Sequence, residues 1–264
     1  MPVVLIEKQT PQITVLTLNR PERRNALTIE LMTDLAAAIE NAAADPVTRI
    51  AILRGAGKAF CTGLDLQEAA VKDPHDTAKA AAHLFLVLAE TRLVTIATVH
   101  GAAVAGGAGI MSACDFVVAA ERTKIGYPEV RRGLVAGLVM TFLRRQLRER
   151  DLREVLLASE LFEADRAREI GLVNRVVPAS ELDNEAQKIV ASVLQGAPDA
   201  ISNSKRLLEE LWSTSVKQDL ERALRHHLEA RESPEAKEGV TAYNEKRPPN
   251  WVGGTGSVPS NEVE

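Results

Sequence analysis

Three stretches of this chain hold residues that can do chemistry together. The first, GAAVAGGAGIMSACD over Gly101–Asp115, carries Gly101, Gly106, Gly107 and Gly109 and follows the apolar run Leu93–Val99. A strand that breaks at glycines and re-enters as a helix leaves backbone N–H groups free at the helix start, where the helix dipole also favours a negative oxygen. Glycine also lets a ligand approach the backbone closely. The second stretch, GAGKAFCTGLDL over Gly55–Leu66, is another glycine-bearing loop after an apolar run, Ile50–Arg54. Two such loops offering N–H groups to one oxygen form an oxyanion hole, which stabilises charge developing on a carbonyl. The third supplies a carboxylate, Glu129, behind the turn Gly126-Tyr127-Pro128. A rigidly held carboxylate facing an oxyanion hole is the minimum equipment for moving a proton at carbon next to a carbonyl.

Other chemistries fit less well. A dinucleotide fingerprint in the second stretch needs glycine at position 60, which is Phe60. A phosphate-binding P-loop needs Ser or Thr after Gly57-Lys58, where Ala59 stands, and glycine at Ile52. NAD and ATP are therefore set aside at this loop. Cys61 and Cys114 have no metal-ligand spacing and suggest no disulfide framework, so both read as small core residues and no metal is expected. His100 reads as a packing residue, and His226-His227 as surface residues of a charged helix.

The elements that must position these groups alternate through the first three-quarters of the chain. Strands are expected at Val3–Glu7, Ile13–Asn19, Ile50–Arg54, Leu93–Val99, Asp115–Ala120 and Leu172–Val177. Between them helices are expected after an N-cap at Thr28, over His75–Arg92, Leu134–Leu147, Leu152–Ala158 and Ala164–Gly171, with Gly171 as a C-cap. Lys124–Val130 reads as a loop. This alternation implies an α/β architecture with parallel pairing. From Ser180 only helices follow: Ser180–Leu194, Pro198–Trp212, Val216–Arg231 and Pro234–Lys246. A boundary falls near Gly196, and the Gly/Ser/Pro/Glu-rich composition of 252–264 predicts a disordered tail.

Bulk properties agree with a compact enzyme-sized unit. Among 264 residues, 45% are hydrophobic, 26% charged and only 3% aromatic, so the core is built on Ala, Leu, Val and Ile. The net charge of -4 argues against nucleic acid or an anionic membrane as partner. No charge lies between Arg92 and Asp115, but the glycines, threonines and His100 there favour a buried strand–turn–helix over a membrane span. The N-terminus lacks a signal-peptide pattern, and the cytoplasm is expected.

The segments GAGKAFCTGLDL, HGAAVAGGAGIMSACD, IGYPEVRRGLV and AYNEKRPPNW resemble the signature regions of the crotonase (enoyl-CoA hydratase/isomerase) superfamily, and Asn25-Ala26-Leu27 matches as well. The resemblance runs from Val3 to Trp251. It implies a spiral of ββα units over residues 1–196 carrying an acyl-CoA site. A helical region over 197–251, used for trimerisation and often for pairing trimers into hexamers, would follow. It implies an acyl-CoA thioester substrate and no separate cofactor, coenzyme A being part of the substrate. Carried over position by position, the N–H groups of Leu64 and Gly106 hold the thioester oxygen and Glu129 is the acid/base. Substrate contacts are implied for Arg23, Arg24 and Ala26, for Cys61, Gly63, Asp65 and Leu66, for Gly107 and Gly109, and for Lys246. Of these, Arg23, Arg24 and Lys246 would face the CoA phosphates, while Asp65 also reads as a helix N-cap.

One position departs from the family pattern. Hydratases of this superfamily set a second glutamate where this chain has Gly109. A single base can still carry a proton between C2 and C4 of an enoyl-CoA, so double-bond isomerisation is the expected reaction. A single-glutamate hydratase or hydratase-lyase is the alternative, and a non-catalytic acyl-CoA-binding oligomer the alternative of another class.

Overall fold

The computed structural model describes residues 1–252. Its first half runs β1 (Val4–Thr10), β2 (Ile13–Leu18), α1 (Ile29–Ala44), β3 (Ile50–Gly55), α2 (Leu66–Ala69), α3 (Pro74–Glu90), β4 (Val94–Val99), β5 (Ala102–Val104) and α4 (Gly106–Ala113). It continues through β6 (Phe116–Ala120), β7 (Lys124–Gly126), α5 (Gly137–Gln146), α6 (Glu149–Arg153), β8 (Phe162–Glu163), α7 (Ala164–Glu169) and β9 (Arg175–Val177). Four helices close it: α8 (Leu182–Gln195), α9 (Pro198–Glu210), α10 (Val216–Glu232) and α11 (Pro234–Asn244). The expected tail, Val252 apart, lies outside the described residues.

Six strands form the main sheet in the order β1-β2-β3-β4-β6-β9. The β1–β2 hairpin is antiparallel and every later pairing is parallel. Alternation along the strands sends side chains to two cores. Ile13, Val15, Ile50, Ile52, Val94 and Ile96 meet Leu182, Ala186, Ile189 and Val190 of α8 on one face. Leu16, Leu18, Ala51 and Leu53 meet α1 and α3 on the other. The Thr28 side chain caps α1 by accepting from the Leu31 N–H at 3.2 Å, as its sequence position predicts. Gly171, at φ 93°, ends the short helix α7 as expected, followed by a Leu172 N–H to Ala167 bond of 2.8 Å.

A second, three-stranded sheet, β5-β7-β8, stands where the sequence reads as turn and loop. Its strands are two or three residues long, too short to show a period-2 pattern. Two helix boundaries also differ from expectation. The helix expected from Leu134 begins at Gly137, because Glu129–Arg132 forms its own 3-10 turn ending at Gly133, φ 66°. The helix expected over Leu152–Ala158 is α6 followed by a π turn over Glu154–Ala158. His227 is half-buried rather than on the surface: its Nδ1 lies 3.2 Å from the Val135 carbonyl, because α10 packs on α5. Helix α9 buries no residue fully and leaves Leu207 and Leu208 exposed, as are Leu211 and Trp212 just after it.

Candidate active site

The two glycine loops leave the C-terminal ends of the adjacent parallel strands β3 and β4. This edge is where open α/β sheets commonly bind ligands. Beyond the sheet the loops stay paired. The Phe60 N–H donates to the His100 carbonyl at 2.9 Å, Cys61 N–H to Ala102 at 3.1 Å and Val104 N–H to Cys61 at 3.0 Å. The approach admits no side chain at Gly107, whose Cβ would lie 2.2 Å from the Cys61 carbonyl oxygen. Gly63 is left-handed at φ 87°, and a Cβ there would lie 3.4 Å from the Gly106 nitrogen. Leu64 and Gly106 are thus brought to neighbouring, half-buried positions. The amides around Leu64 are spent on Leu27: Leu27 N–H donates to Gly63 at 2.8 Å and Asp65 N–H to Leu27 at 2.9 Å. Among the described residues, no backbone hydrogen bond uses the N–H of Leu64 or of Gly106. Ala105, at the N-cap of α4, takes φ 50° and ψ −124°, a conformation that costs a non-glycine residue about 1–3 kcal/mol.

A polar hub that the sequence barely signals supports this loop pair. Asn25 is fully buried in a left-handed conformation. Its Nδ2 reaches the carbonyls of Ala56, Ala59 and Phe60 at 2.9, 2.9 and 3.1 Å, and its Oδ1 accepts from the Arg20 N–H at 2.8 Å. Arg20 donates to the Ala26 carbonyl through Nη1 and to Asp65 Oδ2 at 3.0 Å through Nη2. Asp65 also caps α2, accepting from the N–H groups of Gln67 at 3.2 Å and Glu68 at 3.3 Å. Burial pushes the Asp65 pKa up, but these backbone and arginine partners outweigh it and hold the carboxyl below its ordinary value.

The Glu129 turn is fastened directly beside Gly106. Val104 pairs with Gly126, and the Ala105 N–H donates to the Gly126 carbonyl at 2.8 Å. The buried Tyr127 hydroxyl lies 2.7 Å from Ser112 Oγ of α4, and the Ser159 hydroxyl donates to the Tyr127 carbonyl at 2.7 Å. The Leu134 N–H donates to the Glu129 carbonyl at 3.0 Å. Glu129 Oε2 is buried with no hydrogen-bond partner among the described residues. Desolvation pushes the pKa of this carboxyl up to about 7, against the opposing pull of its own backbone N–H and of Arg132. A carboxyl so tuned can both take and return a proton near neutrality.

The remaining candidates fall into place around this frame. Arg23 donates to Gln67 Oε1 at 2.7 Å and lies 3.5 Å from Asp65, half-exposed on the rim. The Arg24 carbonyl accepts from the Thr62 N–H at 3.2 Å, and Ala26 and Leu66 are half-buried nearby. Lys246 is exposed after α11, a helix that packs on the Glu129–Arg132 turn and sets Tyr243 under Arg132 at 4.3 Å. No contact among the described residues ties Lys246 to the two loops. Cys61 is fully buried, its thiol pushed up to about 12 by desolvation, and His100 lies 2.9 Å from the Gly57 carbonyl. Gly109 is buried one turn below Gly106; a Cβ there would lie 2.5 Å from Val139 Cγ1 and 2.7 Å from Phe85 Cζ. Among the described residues no cluster of three His, Cys, Asp or Glu side chains could hold a metal, and no helix is long and apolar enough to cross a membrane.

The sequence matches the profile of the family described as Enoyl-CoA hydratase/isomerase over residues 8–254. It is 36% identical over 253 residues to a Thermus thermophilus protein provisionally named an enoyl-CoA hydratase, covering 94% of this chain and 100% of that one. It is 33% identical over 261 residues to the enoyl-CoA hydratase EchA19 of Mycobacterium tuberculosis, covering 95% and 96%. The structure superposes on that of an enoyl-CoA hydratase/isomerase from Pseudoalteromonas atlantica with a TM-score of 0.85 at 28% identity, covering 94% and 98%.

Proposed function

Because the chain belongs to the enoyl-CoA hydratase/isomerase family, we propose that it shifts the double bond of an enoyl-CoA thioester, with Glu129 as its single acid/base. The thioester oxygen accepts hydrogen bonds from the Leu64 and Gly106 N–H groups. Glu129 removes a proton from C4 of a 2-enoyl thioester. The C–H electron pair becomes the C3–C4 double bond, and the displaced π electrons place negative charge on the thioester oxygen, where the two donors stabilise it. Glu129 then returns the proton to C2. The reverse shift uses the same groups, and no cofactor enters.

The observation that carries this reading is the buried Glu129 carboxyl, whose Oε2 has no hydrogen-bond partner among the described residues, on a turn fastened beside two N–H groups that no backbone bond among those residues uses. Isomerisation is preferred to hydration because position 109 has neither a carboxylate nor room for a Cβ between Val139 and Phe85. The hydratase names of the relatives favour a second reading, addition of water with one glutamate. A mass-spectrometric screen of enoyl-CoA positional isomers separates the two. Conversion at constant mass supports isomerisation, whereas gain of one water as the main product sinks it. Arg23, Arg24 and Lys246 are proposed to meet the CoA phosphates, and the exposed apolar face of α9 supports assembly into a trimer or hexamer.

A further inference from the structure

Among the described residues three buried side-chain atoms lack a hydrogen-bond partner: Glu129 Oε2, Arg132 Nε and Arg231 Nη1. Arg132 is otherwise engaged. It lies over Tyr243, donates to the Pro128 carbonyl at 3.4 Å and acts on the charge of Glu129. Arg231, in the last turn of α10, has among the described residues one long bond of 3.4 Å, from Nη2 to the Ala69 carbonyl. Burial alone acts on its pKa, drawing it down, and no carboxylate opposes that pull.

Its neighbours belong to elements that border both halves of the candidate site. Ala69 ends α2, the helix that begins directly after Leu64 and Asp65. One turn earlier on α10, His227 touches the Val135 carbonyl beyond the Glu129 turn, and the Arg231 charge is felt there. Just after Arg231, the start of α11 closes on the same turn: a Cβ on Gly133 would lie 2.4 Å from the Glu235 backbone. Arg231 therefore lies on α10 between α2, which follows the Leu64 loop, and the helix start that closes on the Glu129–Arg132 turn. A desolvated guanidinium without a counter-charge is unfavourable, and its planar fork matches a carboxylate with two parallel hydrogen bonds.

We propose that Arg231 binds a carboxylate carried by the acyl group, so that the preferred substrates are CoA thioesters of unsaturated dicarboxylic acids. This inference rests on the acyl-CoA reading above. Its test compares two enoyl-CoA thioesters of equal chain length, one ending in a carboxylate and one in a methyl group, on the wild type, Arg231→Gln and Arg231→Lys. The wild type is expected to favour the carboxylated thioester by about tenfold to a hundredfold in kcat/KM. Arg231→Gln should erase that preference while leaving the methyl-terminated thioester within about threefold, and Arg231→Lys should retain part of it.

Equal losses on both thioesters, together with weaker binding of free CoA, would assign Arg231 to a CoA phosphate and overturn the proposal. A change in assembly size on light scattering for Arg231→Gln would assign it to a subunit contact instead and overturn the proposal equally. If the wild type turns over neither thioester, the isomerase reading fails on its own. Calorimetric binding of the same pair then decides the carboxylate question, and equal affinities rule it out.

Discussion

Asp65 and Glu129 are enclosed carboxylates on two different loops of the candidate site, and their surroundings differ in kind. Asp65, 5% exposed, accepts from two backbone N–H groups and from Arg20, with Arg23 at its edge. Glu129 keeps a buried oxygen without a hydrogen-bond partner among the described residues. Partners hold the first pKa below its ordinary value, and desolvation drives the second up to about 7. The consequences for stability have opposite sign. Asp65 contributes stability above the unfolded carboxyl pKa, which is lost as pH falls through its lowered folded value. Glu129 is a penalty on the folded state that builds between its unfolded value of 4.5 and about 7 and is complete above that. A carboxylate with both oxygens hydrogen-bonded anchors a loop; one with an unpartnered oxygen is available to a proton.

The largest expected effect lies on the Glu129 side. Glu129→Gln should lower turnover by about 10²–10⁴-fold while leaving thioester binding nearly unchanged. The same substitution should stabilise the fold, by at most about 3 kcal/mol above pH 7 and progressively less toward pH 4.5. Denaturant unfolding at pH 5 and pH 8 measures that gain, and a destabilised variant at pH 8 would remove the contrast with Asp65. In the wild type, kcat/KM should rise about tenfold per pH unit below 7 and level off above it, because the base must be ionised. A flat profile between pH 5 and 8 would show that Glu129 does not titrate as the base.

Asp65→Asn should act in the other direction. It removes the charge facing Arg20, which is 17% exposed, and should cost about 1–3 kcal/mol in denaturant unfolding. It should leave the midpoint of the pH–rate profile where Glu129 sets it. A shifted midpoint would mean that the two carboxylates are electrostatically coupled, and the separation into anchor and acid would then fail.

The loops and the acid were legible in the sequence because their signals are local. Glycines follow apolar runs at Gly55 and Gly101, and Glu129 follows a Gly-Tyr-Pro turn. The hub was not legible: besides their local bonds to one another and to Ala26, Asn25 and Arg20 act on the second loop through partners 31 to 45 residues away, and nothing in a window around either residue indicates those. Asn25 was visible only as part of the Asn25-Ala26-Leu27 match. The second sheet escaped because its strands are shorter than any periodicity. His227 escaped because the face that a polar helix buries is decided by what packs on it, here α5, and not by its own composition.

Tyr127 tests the comparison at its smallest scale. It precedes Pro128-Glu129, and its hydroxyl meets Ser112 on α4, the helix whose first residue is Gly106. The bond therefore fixes the distance between acid and oxyanion donor without touching either. Tyr127→Phe should cost about 1 kcal/mol in stability, the net value of one hydrogen bond. Ser112→Ala should cost about the same, and the double variant little more than either alone, since both remove one interaction. If the bond only filled the core, the kinetic constants would follow stability and recover at lower temperature. If it positions Glu129, kcat should fall while KM and the pH midpoint hold, because a misplaced base loses alignment rather than ionisation.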